Sequence, residues 1–143
     1  MSLLCFPDVN VWLALSMGGH AQRQVAVDWW RNDHSDTIAF CRLTQVSVLR
    51  LLTTAEAMNG KPLTMPQAWA AYDQFFGDDR VRLAPEPPEV ELCLRRMSSL
   101  RRASPKLWAD AYLSACAEAA GGTVITFDRA LARRAPRSLL LTR

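Results

Sequence analysis

Short apolar, β-branched runs alternate along this chain with longer stretches whose apolar residues recur at three- and four-residue spacing. The short runs, at residues 3–6, 37–41, 80–84, 123–127 and 138–141, have the length and bounding turn residues of strands. Between them the longer periodicity predicts helices. One starts near Asn10 and stops at Gly18-Gly19, and a second covers residues 21–32. A third follows Cys41 with Thr44 as its N-cap, and a fourth runs from Thr64 to Phe76 with Pro66 in its first turn. A fifth covers residues 89–100. Ser104 and Pro105 then read as N-cap and N1 of a sixth that ends at Gly121-Gly122, and a short basic helix follows Asp128. Strand and helix in alternation imply a mainly parallel sheet covered by helices on both faces, an α/β fold, with residues 1–143 as one domain.

The polar residues that interrupt this pattern are informative where they close a strand. The first strand runs into Pro7-Asp8 and the fourth into Asp128, while Asp110 falls in the first turn of the helix leading to the fourth. Open α/β sheets bind ligands at the carboxyl ends of their strands. If the first and fourth strands are adjacent and parallel, Asp8 and Asp128 converge at one edge and Asp110 can join them. Three ionised carboxylates so close repel one another, and a divalent cation is the usual means of holding them together.

Composition narrows the classes. The chain has 143 residues, half of them hydrophobic, enough for one core. No apolar run is long enough to span a bilayer and no signal-peptide pattern opens the sequence, so a cytoplasmic protein with no membrane association is expected. Cys5, Cys41, Cys93 and Cys116 are widely spaced within apolar elements and are expected to be buried free thiols.

Net charge is only +3, but its distribution changes the picture. Every basic residue except Lys61 and Lys106 is arginine. One block, Arg95, Arg96, Arg101 and Arg102, precedes the Asp110 helix; a second, Arg129, Arg133, Arg134 and Arg137, follows Asp128. Guanidinium groups donate paired hydrogen bonds to phosphate and stay charged, so two arginine blocks flanking an acidic pocket favour guidance of a phosphate-bearing ligand over solvated helix faces. Arg50 is the odd residue of an apolar helix and has two readings, a partner of the carboxylate pocket or an exposed side chain whose stem covers apolar surface. The stripe Trp69, Tyr72, Phe75 and Phe76 reads first as core or dimer surface and second as a base-stacking face.

The segments PDVNVWLAL, FCRLTQVSVLRLLTT, SPKLWADAYLSACAEAAGG and VITFDRAL, in that order and spacing, resemble the PIN domain, and specifically the VapC-type ribonuclease toxins of bacterial toxin–antitoxin pairs. The resemblance covers essentially the whole chain. It implies a compact α/β/α fold, Mg²⁺- or Mn²⁺-dependent cleavage of transfer or ribosomal RNA, a small VapB-like antitoxin partner and a homodimer. Position by position, Asp8, Asp110 and Asp128 match the family's acidic residues as catalytic and metal-binding groups. Asn10 and Thr126 match polar residues that support them, and Arg101, Arg102 and Arg129 become the candidate RNA contacts.

One departure from the family stands out. The usual second acid is a glutamate in the helix after the second strand, and aligning Thr44 with the hydroxyl residue that precedes it puts Arg50 in that place; Glu56 lies about a turn and a half further on. Ala130 stands where many relatives carry another acid. Three carboxylates imply one tightly held metal ion with a second arriving with substrate. The alternative is a catalytically idle PIN-like RNA-binding module. No G-x-x-x-x-G-K loop supports a nucleotide-phosphate enzyme instead.

Overall fold

The computed structural model describes residues 3–142. In it the five strands β1 (Leu4–Pro7), β2 (Thr37–Phe40), β3 (Val81–Leu83), β4 (Thr123–Thr126) and β5 (Ser138–Leu140) form one sheet in the order β3-β2-β1-β4-β5. Every neighbouring pair is parallel. The helices are α1 (Val9–Ser16), α2 (Arg23–Asn32), α3 (Arg42–Leu52), α4 (Met65–Phe75), α5 (Val90–Met97), α6 (Leu107–Ala120) and α7 (Arg129–Arg134).

Alternation along the strands separates two cores, because successive side chains leave a strand on opposite faces. Cys5, Ile38, Phe40 and Ile125 pack on one face against Trp12 of α1, Val48 and Leu52 of α3 and Tyr72 of α4. Phe6, Ala39 and Val124 pack on the other against Cys93 of α5, Leu113 and Cys116 of α6 and Leu131 of α7. The result is the three-layer arrangement that the alternating pattern predicts. Trp12 is fully buried and stacks on Phe40 with ring centroids 3.8 Å apart. The aromatic stripe of α4 belongs largely to this core: Phe75 meets Trp12 edge-on and Tyr72 is buried. All four cysteines are free and buried, as expected.

Two helix starts differ from the sequence reading. Thr44 is not an N-cap; Cys41 holds that position, and Thr44 lies buried at N3, its hydroxyl accepting from the Cys41 N–H at 3.0 Å. Ser104 and Pro105 lie in a turn ahead of α6, which begins at Leu107 behind Lys106 with no side-chain cap. The expected stop at Gly121 is met. Its φ of 74° is the left-handed conformation that ends helices, and Gly122 follows it against the Phe6 ring.

The strand order places the site. Chain order runs outward from β1 through β2 to β3, then returns to the other side for β4 and β5, so the order reverses between β1 and β4. Where it reverses, the helices following the two strands leave a crevice at the carboxyl edge.

Candidate active site

Two helix N-termini build the walls of that crevice. Asp8 follows β1 and is the N-cap of α1, its Oδ1 accepting from the Val9 N–H at 2.7 Å. Asp128 caps α7, its Oδ1 accepting from the N–H groups of Ala130 at 2.8 Å and Leu131 at 3.3 Å. Aspartate suits a first-turn cap because its carboxylate satisfies unpaired N–H groups and faces the positive end of the helix dipole. The sequence reading started the first helix at Asn10 and so did not see Asp8 as a cap.

Thr126, the last residue of β4, joins them. The β1–β4 register pairs Pro7 with Ile125, and the Asp8 N–H donates to the Ile125 carbonyl at 2.8 Å, which brings Asp8 beside Thr126. The buried Thr126 hydroxyl donates to Asp8 Oδ2 at 3.1 Å and accepts from the Asp128 N–H at 2.9 Å.

Asp110 completes the group from the first turn of α6. Burial pushes its carboxyl up to about 6, and the negative charges of Asp8 and Asp128 add to the rise. Asp8 is raised as well, first by burial, with the Val9 and Thr126 hydrogen bonds opposing and the Asp128 charge adding. The Asp8 and Asp128 charges act on Asp110, and that of Asp128 on Asp8, so the three carboxylates lie within electrostatic reach of one another. The cation that offsets it at Asp110 is Arg134 of α7. The sequence reading placed Arg134 in a basic block without singling it out, since only the docking of α7 over β4 brings it to α6.

Fit to a metal ion rests on the oxygens left over. Among the described residues, no three His, Cys, Asp or Glu side chains stand close enough to hold one ion directly. Asp8 and Asp128 each spend one oxygen on a helix cap, while the Asp110 carboxylate accepts no hydrogen bond from the described residues. The remaining carboxylate oxygens are the donors that Mg²⁺ and Mn²⁺ prefer, and Mg²⁺ characteristically keeps several waters while using only one or two carboxylates. Ser114 lies one turn beyond Asp110 along α6, and its buried hydroxyl has no partner. An unsatisfied buried hydroxyl there is consistent with ordered water in the site.

The other candidates fall elsewhere. Arg50 is exposed on the flank of α3 that faces α4, lining a groove of about 620 Å³ with Val46, Leu49, Met65 and Trp69. It does not enter the carboxylate pocket, so the reading in which it pairs there is corrected: the α3 turn that follows Thr44 aims residue 50 at α4. Glu56 is exposed beyond the end of α3. Asn10 is exposed on α1. Arg101 and Arg102 are exposed in the turn before α6, and Arg129 is exposed at the start of α7, lining a hollow with Gln22, which precedes α2, and Val25 of α2. Arg96 is engaged by Glu118, and Arg95 pairs with Glu91 at 3.0 Å.

Fold and site together define a class: an open parallel α/β sheet whose strand-end aspartates meet in an acidic crevice at the point of order reversal. Residues 5–136 match the PIN domain family. The chain is 42% identical over 133 residues to ribonuclease VapC41 of Mycobacterium tuberculosis, with 90% of each chain covered. The fold is similar to that of Mycobacterium tuberculosis VapC20, a sarcin-ricin-loop-cleaving toxin, at a TM-score of 0.65 and 19% identity over 90% of this chain and 93% of that one. It is also similar to VapBC2 of Rickettsia felis, solved bound to a DNA fragment from its promoter, at a TM-score of 0.64 and 12% identity over 98% and 100%. The chain therefore belongs to the PIN-domain family, in its branch of VapC-type ribonuclease toxins. Among the described residues no helix is long and apolar enough to cross a membrane.

Proposed function

We propose that this ribonuclease is a Mg²⁺- or Mn²⁺-dependent endonuclease acting on structured RNA of the transfer or ribosomal class, with Asp8, Asp110 and Asp128 as its catalytic and metal-binding residues. The observation that carries the reading is that the Thr126 hydroxyl ties Asp8 Oδ2 to the Asp128 backbone at the β1–β4 edge, with Asp110 in the first turn of α6 close enough for both charges to act on it. A divalent ion bound among them would lower the pKa of a coordinated water and offset charge developing on the scissile phosphate.

The residues around the site have separable tasks. Thr126 holds Asp8 against rotation by donating to Oδ2 and fixes the Asp128 backbone through the acceptor side of the same hydroxyl. The Val9 N–H keeps the other Asp8 oxygen directed at the helix start. Asp110 is half-buried and its carboxyl is raised by that burial and by the Asp8 and Asp128 charges, so a bound cation would favour its ionised form. Arg134 limits the repulsion at Asp110. Arg101, Arg102 and Arg129 are free of ion pairs among the described residues and are available to guide RNA.

For the antitoxin partner we propose the groove between α3 and α4. Met65, Val46 and Trp69 are 71%, 53% and 49% exposed around one groove, with Arg42 and Arg50 at its rim. An apolar groove with a basic rim suits an amphipathic segment with acidic flanks, as a small VapB-like protein would supply. Homodimerisation is proposed with it, on the family resemblance.

The test is cleavage of total bacterial RNA by the purified protein with Mg²⁺ or Mn²⁺, beside EDTA and Asp8→Asn controls, with fragment ends sequenced. Discrete fragments absent from both controls are expected. Fragments that persist in Asp8→Asn would refute the reading, and an absence of metal-dependent cleavage by the free protein would favour the idle RNA-binding module.

A further inference from the structure

A second pocket shares the sheet edge with the aspartates. The β1–β2 register pairs Cys5 with Ile38, and Asp8 and Cys41, each the first residue past its strand, are the N-caps of α1 and α3 at the same sheet edge; the β2–β3 register pairs Phe40 with Leu83, so one residue on, Cys41 stands beside Ala84. The Ala84 N–H donating to the Phe40 carbonyl at 2.8 Å confirms that the second register continues. Asp8, Cys41 and Ala84 therefore form a row across three adjacent strand ends. At the far end of that row lies a cavity of about 390 Å³ walled by Leu83, Ala84 and Pro85, with Arg42, Glu86 and Tyr112 supplying its polar groups. Neighbouring strands are about 4.8 Å apart, so the cavity begins roughly 5–10 Å from the Asp8 backbone, the reach of a neighbouring nucleotide.

We propose that this cavity is a base-binding subsite of the nuclease, selective for guanine beside the cleaved phosphodiester, with Glu86 as the residue that reads the base. The proposal rests on the ribonuclease reading above. Its chemistry follows from the hydrogen bonds present. Tyr112 donates its hydroxyl to Glu86 Oε2 at 2.6 Å, which anchors an otherwise exposed carboxylate across the cavity and leaves Oε1 with both lone pairs. A bare carboxylate would repel RNA unless it accepted hydrogen bonds from the ligand. Guanine alone among the four bases presents two adjacent donors, N1–H and the N2 amino group, on its pairing edge. Adenine and cytosine present an amino group beside an acceptor, and uracil one N–H between two acceptors.

The other walls fit a splayed base. Leu83, Ala84 and Pro85 supply apolar contact for its faces, and single-stranded bases are typically recognised by face contact together with hydrogen bonds to the pairing edge. Arg42 spends one guanidinium nitrogen on Gln45 Oε1 at 2.6 Å, which fixes its orientation and leaves its other N–H groups for a phosphate.

The test uses the full chain and two readouts. In EDTA, the four nucleoside 5′-monophosphates are titrated separately while backbone amide signals are followed by NMR. Guanosine monophosphate is expected to shift Ala84, Glu86 and Tyr112 and to bind about tenfold more tightly than the others, the discrimination of one bidentate base contact. Glu86→Gln, at an exposed position that does not threaten folding, is expected to erase that margin. In the second readout, fragments cut from randomised RNA are expected to carry guanine at one fixed distance from the cut, a preference that Glu86→Gln flattens. Equal binding of all four nucleotides, or a guanine margin that survives Glu86→Gln, would overturn the subsite. So would wild-type cuts with no fixed guanine. Because the titration needs no cleavage, a chain that binds guanosine monophosphate selectively but cuts nothing would overturn the nuclease reading and leave the pocket standing.

Discussion

Thr126 Oγ1 donates to Asp8 Oδ2 at 3.1 Å across the β1–β4 pair, and the same hydroxyl accepts the Asp128 N–H at 2.9 Å. One buried side chain thus orients an acid on one strand end and the backbone that carries an acid on the other. Thr126→Val keeps the shape and removes both bonds, leaving the Asp128 N–H unpaired. A loss of about 1–3 kcal/mol is expected, read as a lowered denaturant midpoint. RNA cleavage should fall more steeply than RNA binding, and Thr126→Ser should restore both. Cleavage unaffected by the valine would show that the hydroxyl does not position the acids.

Asp110 stands at about 6 in the fold against an ordinary 3.8, raised by burial and by the Asp8 and Asp128 charges. Between those values the folded chain holds a proton that the unfolded chain has released, so stability falls as pH rises through this window, and the penalty is fully present above it. Asp110→Asn removes the penalty. Its melting temperature should exceed that of wild type at pH 7.5 by an amount on the order of a few degrees, with the difference disappearing below about pH 4. The same variant should lose RNA cleavage. Thermal melts at the two pH values test this, and a variant no more stable at pH 7.5 would contradict it.

The same repulsion predicts a response to metal. Mg²⁺ or Mn²⁺ in EDTA-free buffer should raise the wild-type melting temperature, since a ligand that binds only the folded state stabilises it by mass action. Asp8→Asn and Asp128→Asn should each reduce that increment. An equal increment in the variants would place the metal elsewhere.

A side chain at Gly122 would press on the Phe6 ring, which would have to give by a few tenths of an ångström. A Cβ there would lie 3.0 Å from Cδ2 and Cε2 of the Phe6 ring, inside the core on the α6 face. Gly122→Ala is expected to cost about 1–3 kcal/mol by overpacking. Gly121→Ala meets open space but keeps the left-handed φ of 74°, at about 1–2 kcal/mol. Urea midpoints of the two variants measure both effects.

The groove between α3 and α4 should matter for a partner and little for the fold. Trp69 is 49% exposed there, so Trp69→Ala should leave the urea midpoint nearly unchanged while weakening antitoxin binding by about 2 kcal/mol or more, the loss typical of a tryptophan hot spot. Calorimetric titration with the purified cognate antitoxin checks it, and unchanged affinity would move the partner off this groove.

Local pattern was sufficient to determine much of this protein. Apolar runs closed by Asp8 and Asp128, the helix opened at Thr64 with Pro66 in its first turn, and the stop at Gly121 are decided by residues within a few positions of one another, and each element lies within a few residues of where its pattern placed it. The three-layer parallel sheet follows from their alternation. Which side chains share a site depends instead on how helices dock. Asp8 became a helix cap because α1 starts immediately after β1, and Arg134 reached Asp110 because α7 packs beside β4 while α6 crosses the sheet. Arg50 went to the α4 groove because the turn of α3 after Thr44 aims it there. The Tyr112–Glu86 bond spans 26 residues between a helix and a loop. Sequence spacing sets which face of an element a residue occupies; only the packing of whole elements against the sheet decides what that face meets.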